Sequence, residues 1–323
     1  MSAPSRETLQ RLANETGHQP GTLEKVLRLL DLLQEIAADD VLGSRLALKG
    51  GTALNVFYLQ LDRLSVDIDV NYVGAVEREA MLAERPALEE AANRLLAAQG
   101  YQVRRQPAEH AGGKWIARHA SALGGQGALE IDINFMMRQP LFGVTRMDSV
   151  RLGDTQANGV TVLDLHEIIA GKLVALLDRR AARDLFDARR ILAMEGLNWA
   201  WIKAAMLAIG AAGRNDWRTA SVDKIGADPK ELRQKLLICL PRAHFEQAGS
   251  IEAWIEETTA LCRARLVSML ALTAGEQAFL DGVIERGTID TSALDVDGEI
   301  QARIALMPML QWKAENVRKR VGE

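Results

Sequence analysis

Two aspartates two positions apart, Asp67 and Asp69, stand in the run Arg63-Leu64-Ser65-Val66-Asp67-Ile68-Asp69-Val70. From Ser65 to Tyr72 the apolar Val66, Ile68 and Val70 alternate with Asp67, Asp69 and Asn71, which is the period of a β-strand. Side chains at i and i+2 of a strand leave the same face, so the two carboxylates can share one or two divalent cations. Magnesium is a hard ion that takes oxygen ligands and fills its shell with water or phosphate oxygens. A carboxylate pair of this kind suits phosphoryl transfer, where a metal holds a triphosphate, neutralises developing charge and activates a hydroxyl. Leu129, Ile131, Ile133 and Phe135 alternate in the same way with Glu130, Asp132 and Asn134, giving a second acidic strand.

Just upstream lies Lys49-Gly50-Gly51-Thr52-Ala53-Leu54, and Thr52 to Gln60 reads as a helix. Gly50 and Gly51 let the backbone approach a phosphate, and a helix start offers free N–H groups to an anion. Thr52 or Ser65 would add a hydroxyl. Acidic residues on a strand are usually only solvated, and Gly-Gly-Thr before a helix is weak alone. Together, at short spacing and followed by a second acidic strand, they are much more specific.

A second constellation begins at His166-Glu167-Ile168-Ile169-Ala170-Gly171-Lys172 and runs into Asp178-Arg179-Arg180-Ala181-Ala182-Arg183-Asp184-Leu185-Phe186-Asp187. Lys172 and Arg179 are seven apart, two helical turns on one face, and Arg183 extends that face if the helix continues. Three cations there would grip phosphates. Asp184 would orient Lys172 or act as a base on an incoming hydroxyl. The bland alternative is an amphipathic helix with a salt-bridged outer face. Gly171-Lys172 is not a Walker A loop, since Leu173 stands where Ser or Thr is needed, and Gly124-Gly125-Gln126-Gly127 is not a dinucleotide fingerprint.

The elements that must position these groups follow from periodicity. Ser5 to Ala38 carries a broad helical stripe of Leu, Val and Ile, read as one or two helices. Arg45 to Lys49 reads as a strand, Arg78 to Gln99 as a helix, and Tyr101 to Arg105 and Lys114 to His119 as short strands. Gly124, Gly125 and Gly127 form a turn. The order suggests a mixed sheet with packed helices. After Leu163 the texture is helical: Asp164 to Leu192, Trp199 to Ala212, Asp228 to Cys239, Ile251 to Leu272, Ala274 to Arg286, and a closing segment from Gly298 to Arg320. The expected organisation is α+β, with residues 1–155 as the core and 156–323 as a helical domain.

The bulk numbers agree with a folded chain. Its 323 residues suffice for a core without disulfides, and 48% hydrophobic with 25% charged residues is ordinary for a soluble protein. A formal net charge of −4 gives no global basic signal for nucleic acid. Cys239 and Cys262 sit in apolar stretches without a CxxC, as buried free thiols would, which suits a reducing compartment. No signal-peptide core and no run of about 18 apolar residues occurs. A soluble, cytoplasmic protein without membrane association is expected.

The Gly50 to Leu54 and Arg63 to Asp69 segments, with Lys172 to Leu176 and Arg183 to Asp187, together resemble the AbiEii/AbiGii nucleotidyltransferase toxins, including the MenT group. That family lies in the DNA polymerase beta-type nucleotidyltransferase superfamily. Pro308-Met309-Leu310-Gln311-Trp312-Lys313 also looks like the family's closing segment. The resemblance implies a polymerase beta-type core followed by a mostly helical domain. It implies Asp67 and Asp69 as metal ligands, with Asp132 as the third carboxylate that beta-type polymerases often place on a neighbouring strand. Gly50, Gly51, Thr52 and Ser65 would contact the triphosphate, joined by Lys172, Arg179 and Arg183, and Asp184 would be a second essential carboxylate. The implied cofactor is Mg2+, with Mn2+ as an alternative, and the substrate is an NTP. The implied acceptor is RNA, with the tRNA 3′ end foremost, and blocked translation, abortive infection and a cognate antitoxin go with it. An RNA acceptor predicts a basic face from Arg104, Arg105, Lys114, Arg118 and the Arg179 to Arg190 cluster. Rival readings are transfer to a small molecule or a protein hydroxyl, or a non-catalytic antitoxin-binding protein.

Overall fold

The computed structural model describes residues 4–106, 112–245 and 250–322. Its contacts divide the chain into two compact units. The first comprises Met1–Arg138, Val144–Leu163 and Leu237–His244, and the second comprises Gln139–Gly143, Asp164–Leu236 and Phe245–Glu323.

The first unit opens with α1 (Arg6–Thr16), started by the Ser5 hydroxyl and stopped at left-handed Gly17. Next comes α2 (Pro20–Ala38), whose Leu, Val and Ile stripe is buried. The seven strands are β1 (Leu46–Lys49), β2 (Asp67–Tyr72), β3 (Gln102–Gln106), β4 (Gly112–Ala120), β5 (Gln126–Asn134), β6 (Val144–Met147) and β7 (Val160–Leu163). They lie in the order β3-β4-β5-β2-β1-β7-β6. Pairs β2·β5 and β1·β7 are parallel and the rest antiparallel, so the sheet is mixed as expected. Between β1 and β2 the chain makes a short α3 (Gly50–Ala53) that continues as a π-helical turn, Leu54–Tyr58. The helix α4 (Arg78–Ala98) links β2 to β3. Strands β6 and β7 were not foreseen. The signal for β7 was available, since Val160-Thr161-Val162-Leu163 is a β-branched run and every residue of it is buried. It carries the first unit past residue 155.

The second unit holds α5 (Leu165–Asp178), α6 (Ala182–Ile191), α7 (Trp199–Ala212), the short α8 (Pro229–Glu231), α9 (Ile251–Leu270), α10 (Ala274–Asp281), α11 (Gly298–Ala305) and α12 (Pro308–Val321). The expected helix from Asp164 to Leu192 is two: Arg179 is extended, and α6 restarts after Ala181. Asp228 to Cys239, read as one helix, resolves into α8 and short π and 3-10 turns. Among the described residues no single helix is long and apolar enough to cross a membrane, although α9 and the Ala274–Arg286 segment pass that test as a pair bent by 85°. Both cysteines are free and buried.

Candidate functional site

The backbone leading into β2 is held in place from several directions. Arg63 is buried and donates Nη1 to the Leu64 carbonyl at 3.0 Å. The Leu64 N–H donates to Cys239 O at 2.8 Å. Gln60 and Leu61, just upstream, are non-glycine residues in the left-handed region, at φ 54° and 64°. That conformation costs roughly 1–2 kcal/mol per residue and persists only where the surroundings enforce it. The Thr52 hydroxyl donates to the Asp67 carbonyl at 2.5 Å, tying the helix start to the first residue of β2. Thr52 is 1% exposed, so its hydroxyl acts as this brace, and Ser65 is also buried.

Register then decides which acids meet. Asp67 is opposite Glu130, and Asp69 opposite Asp132, in the parallel β2·β5 pair. On the other side Asp69 faces Lys49 of β1, and Asp132 faces Lys114 of β4. One row across the sheet therefore reads Lys49, Asp69, Asp132, Lys114, with Asp67 and Glu130 in the next row. Because facing residues on paired strands lie only about 5 Å apart, this is a compact acidic ridge bracketed by two lysines.

Gly50 is what lets Asp69 sit where it does. Its φ is +72°, and a Cβ added there would stand 2.8 Å from Asp69 Oδ2. The glycine is needed both for its backbone angle and for the space it leaves to the carboxylate.

The electrostatics reflect crowding. Partial burial lifts the Asp132 carboxyl above its ordinary range, and the neighbouring Asp69 lifts it further, while Lys49 and Lys114 pull it down. Lys114 Nζ lies 2.5 Å from Glu130 Oε2. That hydrogen bond raises the Lys114 pKa, and the charges of Glu130, Asp132 and Asp67 add to it.

Among the described residues no three His, Cys, Asp or Glu side chains converge into a ready-made metal cage. The donors present still suit a hard divalent ion. They are all carboxylate oxygens, they share one face of two registered strands, and Gly50 keeps the space beside Asp69 open. Magnesium takes few protein ligands and completes its octahedron with water and phosphate oxygens.

The second group of candidates lies in the second unit. Lys172 on α5 is 11% exposed at its side chain, and its Nζ stands 2.8 Å from Asp187 Oδ2 and 3.5 Å from Asp184 Oδ1. Arg179 grips Asp184 with both ends of its fork, Nε to Oδ2 at 2.6 Å and Nη2 to Oδ1 at 3.2 Å. Asp184 and Asp187 are buried. The sequence placed Lys172, Arg179 and Arg183 on one continuous helical face. Instead the break at Arg179 turns α6 so that Lys172 and Arg179 meet at Asp184 from two sides. Arg183 lies half-buried on α6.

The expected basic face is divided. Arg104 and Arg118 are exposed, and register puts them on the same side of the sheet as the acids. Lys114 belongs to the acidic ridge itself, and the Arg105 side chain lies outside the described residues. Arg189 is engaged by the Thr258 hydroxyl and Glu257. Sequence reasoning missed Lys49 and gave Lys114 no link to the acids, because both roles depend on cross-strand register.

Comparison with known proteins bears on this geometry. The family model "Nucleotidyl transferase AbiEii toxin, Type IV TA system" matches residues 31–271. Among solved structures, MenT4, a nucleotidyltransferase toxin from Mycobacterium tuberculosis H37Rv, is similar over 99% of each chain, with a TM-score of 0.51 and 17% identity. At that identity the likeness speaks to the fold. No curated protein sequence matches this chain.

Proposed function

This chain belongs to the AbiEii family of type IV toxin–antitoxin nucleotidyltransferases, and from that premise we propose that it transfers a nucleotide from an NTP to the 3′ end of an RNA. Asp67, Asp69 and Asp132 are the residues that would hold magnesium, with manganese as a substitute. When bound, the metal supplies charge neutralisation for the triphosphate and lowers the barrier to deprotonating the attacking hydroxyl. The acceptor oxygen attacks the α-phosphorus, the bond to the β-phosphate bridging oxygen breaks, and pyrophosphate leaves. The backbone at Gly50 and Gly51 accommodates phosphate. Within the second unit, Asp184 ties the end of α5 to α6 through Arg179 and stands beside Lys172.

The observation that carries this reading is the register that sets Asp69 against Asp132 and Asp67 against Glu130. An RNA acceptor is favoured by Arg104 and Arg118, which stand beside the acids on the same sheet face and match a phosphate backbone. With tRNA as the acceptor, addition at its 3′ end would block aminoacylation and halt translation. A cognate antitoxin would restrain the activity in the cytoplasm.

The test is incubation with each labelled NTP against total RNA, total protein and a small-molecule pool, followed by sequencing of RNA 3′ ends. Label in RNA 3′ ends that disappears with Asp69→Ala is the expected result. Label confined to protein or small molecules would replace the RNA acceptor, and label retained in full by Asp69→Ala would overturn the assignment of the site.

A further inference from the structure

The acidic ridge of the first unit is accompanied by its own cation. Lys114 leaves β4 on the same face as the acids, in the row of Asp69 and Asp132. Its ammonium is bonded to Glu130 and lies within the field of Asp132 and Asp67. Both partners are accessible, with side-chain exposures of 37% and 48%, so the pair is free to open without unpacking the core. An exposed ion pair contributes little to stability and is easily exchanged for a better cation. Lys49 brackets the row from the other side and its charge also acts on Asp132, whereas Lys114 is the one bonded to a carboxylate of the ridge, Glu130.

We propose that Lys114 is a positioning residue that serves as the resident counter-cation of the carboxylate ridge and competes with the divalent metal for it. This rests on the reading of Asp67, Asp69 and Asp132 as the metal-holding set. Its consequence is a weakened affinity for metal alone. Lys114 holds the acids together in the metal-free protein, against their mutual repulsion, and gives ground only to a cation of higher charge. A triphosphate arriving beside the ridge would draw the ammonium to its own negative charge, so that the competition is relieved when substrate is present.

The experiment is titration of the full chain with Mn2+ alone, followed by calorimetry or by the manganese paramagnetic signal, for wild type, Lys114→Met and Lys114→Arg. Lys114→Met is expected to bind Mn2+ roughly threefold or more tightly, with the gap shrinking at high salt, as screening of an exposed charge requires. Lys114→Arg, which keeps the charge, should return to the wild-type affinity. A merely structural role would weaken binding or leave it alone, so a tighter site is a specific signature. Unchanged or weaker Mn2+ binding by Lys114→Met, beside a wild type that binds, overturns this proposal and leaves the metal site standing. Absence of Mn2+ binding in wild type and in both variants overturns the metal site itself, and this proposal with it.

Discussion

The chain carries two charge clusters that look alike in sequence and behave oppositely in structure. On the sheet, four carboxylates, Asp67, Asp69, Glu130 and Asp132, share a face with two ammonium groups, Lys49 and Lys114. Between α5 and α6, Asp184 and Asp187 meet Lys172 and Arg179 in equal number, and both carboxylates are buried. The first cluster is accessible, and its acids crowd one another, as the raised Asp132 carboxyl beside Asp69 shows. The second keeps its carboxylates buried, and its partners hold one another. Counting acids and bases along the chain does not separate them, whereas burial of the carboxylates does.

The largest expected effect tests the first cluster. Asp69→Ala should lower nucleotide transfer by about a thousandfold, of the order seen when a group that stabilises transition-state charge is removed. The melting temperature should move little, because the acids repel one another. A large loss of stability would mean that the ridge is structural after all. For the second cluster the expectation reverses. Asp187→Asn should destabilise the chain by about 1.5–3 kcal/mol in denaturant unfolding, since Lys172 loses its closest carboxylate and keeps only Asp184 at 3.5 Å. The Lys172→Met, Asp187→Asn double variant should lose less than the sum of the single losses. Activity lost in Lys172 variants must therefore be corrected for the folded fraction.

A pH series adds a buried group that has no charge to balance. Burial holds the His18 pKa down to about 4, from 6.5. Above pH 6.5 the imidazole is neutral in both folded and unfolded chains. Between 6.5 and 4 only the unfolded chain gains the proton, so stability falls as pH drops, by roughly 3 kcal/mol at full extent. His18→Gln should remove that part of the slope, and an unchanged slope would place the acid sensitivity elsewhere. The smallest effect is a reporter for each unit, because Cys239 lies in the first and Cys262 in the second. Burial pushes the Cys262 thiol up to about 11. Thiol reagent should label both slowly until denaturant is added, and Cys239→Ser or Cys262→Ser tells which unit opens first.

The acidic strands were legible because alternation is a local property: Ile68 and Val70 are buried and Asp67 and Asp69 alternate with them, all read from adjacent residues. The pairing of Asp69 with Asp132 was not, since register is set by distant turns and packing. For the same reason Lys49 went unassigned and Lys114 was read only as part of a basic face. The break after α5 also lacked a signal, because Arg179-Arg180-Ala181 contains neither Pro nor Gly. Arg179 is extended there and reaches forward five residues to Asp184, a pairing that no helix-stop residue announces. Thr52 was read as a ligand because hydroxyls beside glycines suit phosphates, and the sequence could not reveal that Asp67 O had already claimed it.

The segment Leu237–His244 belongs to the first unit, although more than seventy residues of the second precede it in the chain. It accepts the Thr22 hydroxyl at Ile238 and the Leu64 N–H at Cys239, and donates from Arg242 to Gly17. A nascent chain that has emerged through Leu163 holds every strand of the sheet but still lacks this strap beneath the approach to Asp67. At about 5–20 residues per second, the ribosome delivers it roughly 4–16 s later. The backbone entering β2 therefore gains its Cys239 partner late in synthesis, and a fragment cut at residue 163 would be born without it.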